Sequence, residues 1–487
     1  MLIASGGNLR SLSPRGASQE ILRFDAPDLL QLVETCPDIR IYTKSTLYFP
    51  ALCRVTSANT DTVPLALVRP SNETEISATV RLCSDLGLKL AIRTGGNDVG
   101  DRCRVDGGVV IDMRSVDSIT ISPDGTSAHV GGGVTSGKLL KFLDHYQLDT
   151  PCGWGKQVGY AAWACGGGYG VEAGMRGLGV DQILGGRIVS ASGEVIIAGP
   201  DGDADAYWAL RGGGAGIIGV VSELTIKVYP KPRVYAGFVV FPLAEAEMVL
   251  GNFSYLFADY TGASETFPDN FAGEIFIIDS PGSGGLINHF FWWELEGDAG
   301  DLPEAELYLE RIKQFGTVLA ETVYETTPYE FLYSVENPMT QTRLASSLAS
   351  CNIPGFSPEI GAILARHPLP TSASAIALHN CHGAGAKPDA SAAFAHRTRH
   401  LCIGITGMCP YYDETERKAI EIWSQAVLND IQEAGLALDA KYVNFTPPQK
   451  DDGILYFGED GVRRMKEIKQ RLDPGGLFAR WTPDLEM

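Results

Sequence analysis

Between Gly131 and Gly219 glycine recurs in clusters: GGG at Gly131–Gly133, GGGYG at Gly166–Gly170 and GGGAGIIG at Gly212–Gly219. No other feature constrains the fold as tightly. A glycine inside a regular element costs about 0.5–1 kcal/mol relative to alanine, so clusters mark places where backbone turns sharply or must approach a ligand. Two clusters imitate a dinucleotide fingerprint, GAGIIG at Gly214–Gly219 and GYGVEA at Gly168–Ala173. That fingerprint works only between a strand and a helix, so that a pyrophosphate meets the helix N-terminus. Here the first runs into VVSELTIKVY, which alternates like a strand, and the second into the glycine-rich GMRGLG. A Rossmann domain is therefore not expected. A third stretch, RTGGNDVG at Arg93–Gly100, pairs Gly95 with Gly96 and can expose consecutive N–H groups to a phosphate.

The remainder reads as two textures. LALVRPSNETEISATVRLCSDLGLKLAIRTGG predicts strand, helix, strand, with Asn72 and Glu75 as a capping pair and Gly87 at the helix exit. GGVVIDM and SAHVGGG predict further strands, followed by an amphipathic helix over SGKLLKFLDHY. After YPKPRVY the glycine clusters thin out, and long helical patterns such as ERKAIEIWSQAVLNDIQEAG and aromatic strands such as HFFWWELEG take over to about Ala440. The tail RRMKEIKQRLDPGGLF predicts a helix stopped at Asp473-Pro474-Gly475. A chain of 487 residues suggests two or three domains. Its net charge of −20 argues against a nucleic-acid or anionic-membrane partner. No apolar run is long enough to span a bilayer, and the opening MLIASGGNLRSLSPRG lacks a secretory core, so a soluble protein is expected, intracellular or secreted with its leader removed. Cys381 with His379 and His382 lacks further ligands, so no metal site is expected.

Taken in order, IRTGGNDVG, VGYAAWACGGGYG, RGLGVDQI, YWALRGGGAGIIGVVSELTIKVYP, YVNF with YFG, and RLDPGGLF resemble the berberine bridge enzyme-like group of FAD-linked oxidases, within the vanillyl-alcohol oxidase (PCMH-type) superfamily. The resemblance runs from about Asp61 to the C-terminus. It implies a two-lobed α+β protein. Residues 1–232 and 441–487 would form the PCMH-type FAD-binding domain, and residues 233–440 an inserted substrate domain, an antiparallel sheet covered by helices. The resemblance places the pyrophosphate loop at Arg93, Thr94, Gly95, Gly96, Asn97 and Asp98, and a second loop around Gly155, Val158, Gly159 and Gly168. It adds Asp181, Val220 and Asn444 to the cofactor set. The implied activity is FAD-dependent oxidation of a small organic, secondary-metabolite-like substrate, with hydride passing to the flavin and dioxygen as acceptor. Cys36 and Cys83 fall where plant relatives carry a disulfide.

The departures from the family are informative. Many members tether the flavin through a histidine and a cysteine; those places hold Asn97 and Gly155, and Cys152 lies three residues too early. An amide cannot be the tethering nucleophile, so FAD is expected to bind non-covalently. The family's tyrosine base at the end of Y-x-N-Y is Phe445, and its carboxylate aligns near Ile403. Tyr442 and His379 are the expected catalytic candidates, with His382 and His400 as unplaced alternatives. In NHFFWWEL, His289, Phe291 and Trp293 should share one sheet face and Phe290, Trp292 and Glu294 the other, one of them lining a pocket for an aromatic or polycyclic molecule or both packing as core. Missing tethers and bases also fit a redox-neutral cyclase, isomerase or pericyclase with FAD structural or absent. A non-enzymatic binding protein is the third reading.

Overall fold

The computed structural model describes residues 16–479 apart from 58, 257–266, 280–283, 296–300, 336–343, 448, 450 and 451, together with residue 485. The opening MLIASGGNLRSLSPR lies outside the described residues.

The strand–helix–strand reading near the start holds. Ala66–Arg69 and Leu90–Arg93 flank the helix Glu73–Leu86, whose first turn is closed by Asn72 accepting from the Glu75 N–H at 3.0 Å. Its exit uses Gly87 at φ 63°. These strands pair in parallel with Val109–Asp112, and Arg40–Tyr42 adds an antiparallel edge. Beneath the sheet end sits an ion cluster in which Asp112, fully buried, meets Arg69 at 2.7 Å, Arg93 at 3.1 Å and Arg114 at 2.8 Å. Three guanidiniums hold that carboxyl far below the usual carboxylate range despite its burial.

A second, antiparallel sheet runs Ile119–Ile121, Ser127–Gly131, Val220–Lys227, Ile183–Val189, Val195–Ala198 in spatial order. The GAGIIG segment leads into the strand Val220–Lys227, as expected. Gly212, Gly214, Gly216 and Gly219 all have positive φ, which explains why side-chain-bearing residues are missing there. GYGVEA leads only into the single turn Ala173–Arg176.

The third sheet is larger and antiparallel. Its order is Ala320–Glu321, Arg233–Pro242, Leu286–Leu295, Phe271–Ile278, Ala375–Cys381, His400–Pro410, Leu344–Ile353, with Tyr324–Thr326 beside Arg233–Pro242. One face is sealed by the helices Ala246–Leu256, Leu302–Ile312, Pro358–Arg366 and Glu414–Glu433. Phe253, Leu309, Ile363 and Val427 from those helices share one core with Phe291, Trp293, Ile403 and Ile405 from the strands. The other face looks toward the first two sheets. The period-two split of NHFFWWEL is observed: Phe291 and Trp293 join the helix-covered core, while Phe290 and Trp292 pack with Phe331 and Trp154 on the opposite face. These rings are packing, since neither Phe290 nor Trp292 lines the cavity described below.

Distant segments complete the N-terminal half. Tyr456, Phe457, Met465 and Ile468 of Ile454–Leu472 share a core with Trp208, Leu210 and Ile217. That helix ends at Asp473, whose side chain accepts from the Leu477 and Phe478 N–H groups and from buried Lys469. Cys36 and Cys83 lie buried in one core cluster as free thiols. No helix among the described residues is long and apolar enough to cross a membrane.

Candidate active site

Where the three sheets face one another they enclose a cavity of about 340 Å³. The strand Leu90–Arg93 delivers the chain to Thr94, Gly95, Gly96, Asn97 and Asp98, all five of which line it. The turn is possible because Gly96 takes φ 78° and Gly95 lies flat against a second loop. A methyl on Gly95 would stand 1.8 Å from the Gln157 carbonyl oxygen, and one on Gly159 2.7 Å from the Thr94 side chain. Gly95 is demanded by a backbone carbonyl and Gly159 by the Thr94 side chain, neighbours other than the ligand the sequence suggested. Gly132 and Gly133 repeat this against the Val221 and Met113 carbonyls, at 2.0 and 1.8 Å.

The consequence is a surface of free donors. The backbone N–H groups of Gly95, Gly96 and Asn97 have no acceptor among the described residues. Asn97 accepts from the Thr56 hydroxyl at 2.6 Å, which leaves its own Nδ2 buried and unpartnered. Orphan donors on a glycine-built cradle fit the diphosphate of FAD, because an anion supplies the acceptors they lack. Val158, Gly159 and Asn444 line the same cavity. Asn444 donates to the Tyr442 hydroxyl at 2.9 Å and closes over Gly166, where a Cβ would come within 2.6 Å of its amide.

Five expected cofactor residues stand behind the cavity wall. Arg93 is committed to Asp112. Gly155 turns the second loop at φ 126° without reaching the cavity. Gly168, at φ 79°, donates its N–H to Tyr442 at 3.2 Å and packs on Gly179. Asp181 caps the turn at Leu178 and forms a two-pronged ion pair with Arg397, both contacts 2.8 Å. Val220 points into the core; strand alternation brings Val221 to the cavity instead. Cys152 is also absent from the lining, and burial pushes its thiol up.

The large sheet contributes the opposite wall. Ala375 and Ala377, with Gly404 and Thr406 alongside, form a strip almost free of side chains, edged by Phe276, His379 and Phe445. Ile403, near which the family's carboxylate was expected, faces the helix-covered core, while its neighbour Gly404 lines the cavity, since successive residues of a strand point to opposite faces. His379 Nδ1 lies 3.0 Å from Oε1 of Glu274, whose side chain is 1% exposed. His379 stacks on Phe445 with centroids 5.5 Å apart. Tyr442 lines the cavity, and burial raises its phenol so that it stays protonated.

Further residues complete the site. Tyr169 lines the cavity and donates to His400 Nε2 at 2.5 Å. His400 in turn directs Nδ1 at the Thr398 carbonyl, 2.7 Å away, and burial pushes its pKa down to about 4. That chain fixes a neutral imidazole accepting the phenol proton. Arg102, buried, pairs with Asp98 at 2.5 Å and donates to the Val443 carbonyl at 2.6 Å, joining the loop to residues 341 positions later. The Asp98–Arg102 spacing was its only sequence signal. His382 is a packing residue whose Nε2 meets the Pro268 carbonyl at 3.3 Å. Among the described residues no cluster of His, Cys, Asp and Glu could hold a metal ion.

A family model described as an FAD binding domain matches residues 64–199. FAD-linked oxidoreductase aurO of Gibberella zeae is 33% identical over 456 residues, spanning 92% of this chain and 86% of its own length. (R)-6-hydroxynicotine oxidase of Paenarthrobacter nicotinovorans is 31% identical over 264 residues, 53% of this chain and 55% of that relative. The fold is shared with solved 6-hydroxy-D-nicotine oxidase from Arthrobacter nicotinovorans, at TM-score 0.79 and 20% identity over 92% of this chain and 98% of that one. A berberine bridge enzyme variant superposes at TM-score 0.79 and 18% identity, covering 95% of this chain and 99% of that one. With the fold, the donor-lined cradle and these likenesses together, the chain belongs to the FAD-linked oxidoreductases of the berberine bridge enzyme-like family.

Proposed function

We propose that the protein is an oxidoreductase that holds FAD without a covalent bond and oxidises a small, flat, secondary-metabolite-like molecule, with dioxygen as terminal acceptor. The observation that carries the reading is one cavity in which the free N–H groups of Gly95, Gly96 and Asn97 share walls with His379 and the bare strip Ala375, Ala377, Gly404. FAD, when bound, supplies a two-electron acceptor for a substrate hydride. Residues 1–232 with 441–487 form the FAD-binding part in this reading, and 233–440 the substrate part.

Thr94 to Asp98 hold the diphosphate, and Val158, Gly159 and Asn444 pack along the rest of the cofactor. Arg93, Gly155, Gly168, Asp181 and Val220 brace those contacts from behind. The bare strip admits a planar ring that side chains elsewhere would exclude. His379 accepts the proton that must leave as the hydride departs. Tyr442, kept neutral by burial, accepts from Gly168 and Asn444 and so fixes the loop that carries Tyr169. Neither tethering place offers a nucleophile, since Asn97 is an amide and Gly155 has no side chain.

The experiment is a visible spectrum of the purified protein before and after acid precipitation, then anaerobic titration with candidate substrates. Flavin that moves wholly to the supernatant, and bleaches with substrate, is the expected result. Colour retained in the pellet overturns the non-covalent reading. One observation favours a second reading, a redox-neutral cyclase or isomerase: Phe445 and Gly404, which line the cavity at or beside the places where the resemblance expects the bases, cannot titrate. A substrate converted with no bleaching would establish that reading instead.

A further inference from the structure

Glu274 is the least compensated charge-bearing group near the cavity. It sits on the cavity-facing side of Phe271–Ile278, 0% exposed, and neither carboxyl oxygen has a hydrogen bond. No lysine or arginine pairs with it among the described residues; the imidazole of His379 lies beside it, with Nδ1 3.0 Å from Oε1. The other face of that imidazole matters more. Nε2 has no protein partner and, unlike Nδ1, is not sealed from the cavity that His379 lines. The ring cannot swing away, being stacked on Phe445 at 5.5 Å and met edge-on by Phe276 at 5.8 Å.

A buried carboxylate without a donor is costly, and a proton delivered to the imidazole beside it removes most of that cost. No lysine or arginine among the described residues is placed to compensate the carboxylate. A ligand in the cavity can supply that proton. We propose that Glu274 is the positioning carboxylate of His379, and that the pair accepts the proton of a neutral ligand bearing an acidic hydroxyl, a phenol or an enol. This deepens the oxidoreductase reading and rests on it for the location of the substrate.

In that step the ligand O–H bond breaks and an N–H bond forms at Nε2, with no change in electron count. The total charge of the three groups stays at minus one, but they now alternate as ligand anion, imidazolium and carboxylate. Each negative charge then has the positive one next to it. A ligand that arrives as a carboxylate brings a second anion and no proton, so the same pair rejects it. The ring of the accepted ligand lies on the strip Ala375, Ala377 and Gly404, beside Nε2 on the same sheet face. An oxygen-bound negative charge on that ring makes the later loss of hydride easier, which ties recognition to the proposed chemistry.

Equilibrium binding of 4-nitrophenol to the flavin-loaded protein tests this without turnover, because ionisation of the probe gives a separate visible band. The wild type is expected to bind it as the phenolate and to bind 4-nitrobenzoate at least about tenfold more weakly, a difference of about 1.4 kcal/mol. Glu274→Gln and His379→Asn should each lose the phenolate band, and Glu274→Asp should restore part of it. Should Glu274→Gln fail to retain flavin, the His379→Asn and 4-nitrobenzoate arms still decide. Equal ionisation of the probe by wild type and either variant, no ionisation by the wild type, or equal binding of the two probes overturns the proposal. An enzyme whose flavin no substrate bleaches, but which still ionises 4-nitrophenol, would sink the oxidoreductase reading and leave the pair standing.

Discussion

Replacing Arg102 by methionine keeps the aliphatic stem and deletes the guanidinium. Arg102 is 4% exposed and satisfies the Asp98 carboxylate at 2.5 and 2.8 Å, besides donating to the Val443 carbonyl at 2.6 Å. Removing one partner of a buried ion pair costs about 3–5 kcal/mol. Asp98 keeps two backbone donors, Gly100 at 3.3 Å and Arg102 itself at 2.5 Å, so the lower end, about 3 kcal/mol, applies. The stranded Val443 carbonyl adds about 1 kcal/mol. Arg102→Met should therefore lose about 4 kcal/mol in urea denaturation, and hydrogen exchange should rise at both ends of the clasp, residues 94–98 and 442–446. The double variant Asp98→Asn with Arg102→Met should recover about half of the loss, since no unpaired charge remains. A single variant within about 1 kcal/mol of wild type, with unchanged exchange at both segments, would refute the clasp.

Other outcomes are expected elsewhere in the fold. Gly95→Ala should abolish flavin retention, because its methyl meets the Gln157 carbonyl at 1.8 Å; Gly96→Ala, with nothing nearer than 3.5 Å, should cost only the left-handed backbone strain of about 1–2 kcal/mol. Comparing flavin content after gel filtration checks the order. Asn97→His places an imidazole at the tethering position, and acid precipitation should then leave part of the colour in the pellet. Asp149, Glu172 and Glu294 crowd round Arg176, all buried. Burial raises Asp149 to about 6, and burial with the Asp149 charge raises Glu172 as well. Between about pH 4, the ordinary carboxyl range, and pH 6 this cluster holds more protons in the folded protein than in the unfolded chain, so its own contribution to stability falls as pH rises through this window, against the opposite contribution of buried histidines such as His400. Relative to wild type, Asp149→Asn should therefore gain stability as pH rises from about 4 to 6 and be the more stable protein at pH 7, measured by denaturation of both across pH. Tyr169→Phe removes the proton donated to His400 and should slow flavin reduction while leaving flavin content unchanged.

Much of the N-terminal half was legible because its signals are local. Asn72 with Glu75, Gly87, and the alternation after Gly219 each act within a few residues of chain. The loop Thr94 to Asp98 is local in the same way: its residues are consecutive, and all reach the cavity. Less legible is which strand face looks inward: Val220 and Ile403 lie in cores while their neighbours Val221 and Gly404 line the cavity, one residue and thus a whole side of a sheet apart. Glu274 and His379 come from separate strands and meet only through the pairing of those strands, so no spacing could have announced the pair. Glycine density was read as a sign of ligand contact; at Gly95, Gly132, Gly133 and Gly159 it records chain pressed on chain, which builds the cradle indirectly.

The order in which the chain leaves the ribosome gives the Arg102 clasp another meaning. Domains generally fold as they emerge, N-terminal parts first. Here the loop at Thr94–Asp98 waits for Val443 and Asn444, and the core around Trp208 and Ile217 waits for Met465 and Ile468. The chain must be synthesised to about residue 468 before the cradle is braced, and meanwhile the apolar faces of the early half stay open to solvent and to chaperones. Flavin loading is thereby a late event in the life of the molecule. A nascent chain arrested before Tyr442 should not retain the cofactor, whereas one released after Leu472 should, which ribosome-stalled chains of graded length would reveal.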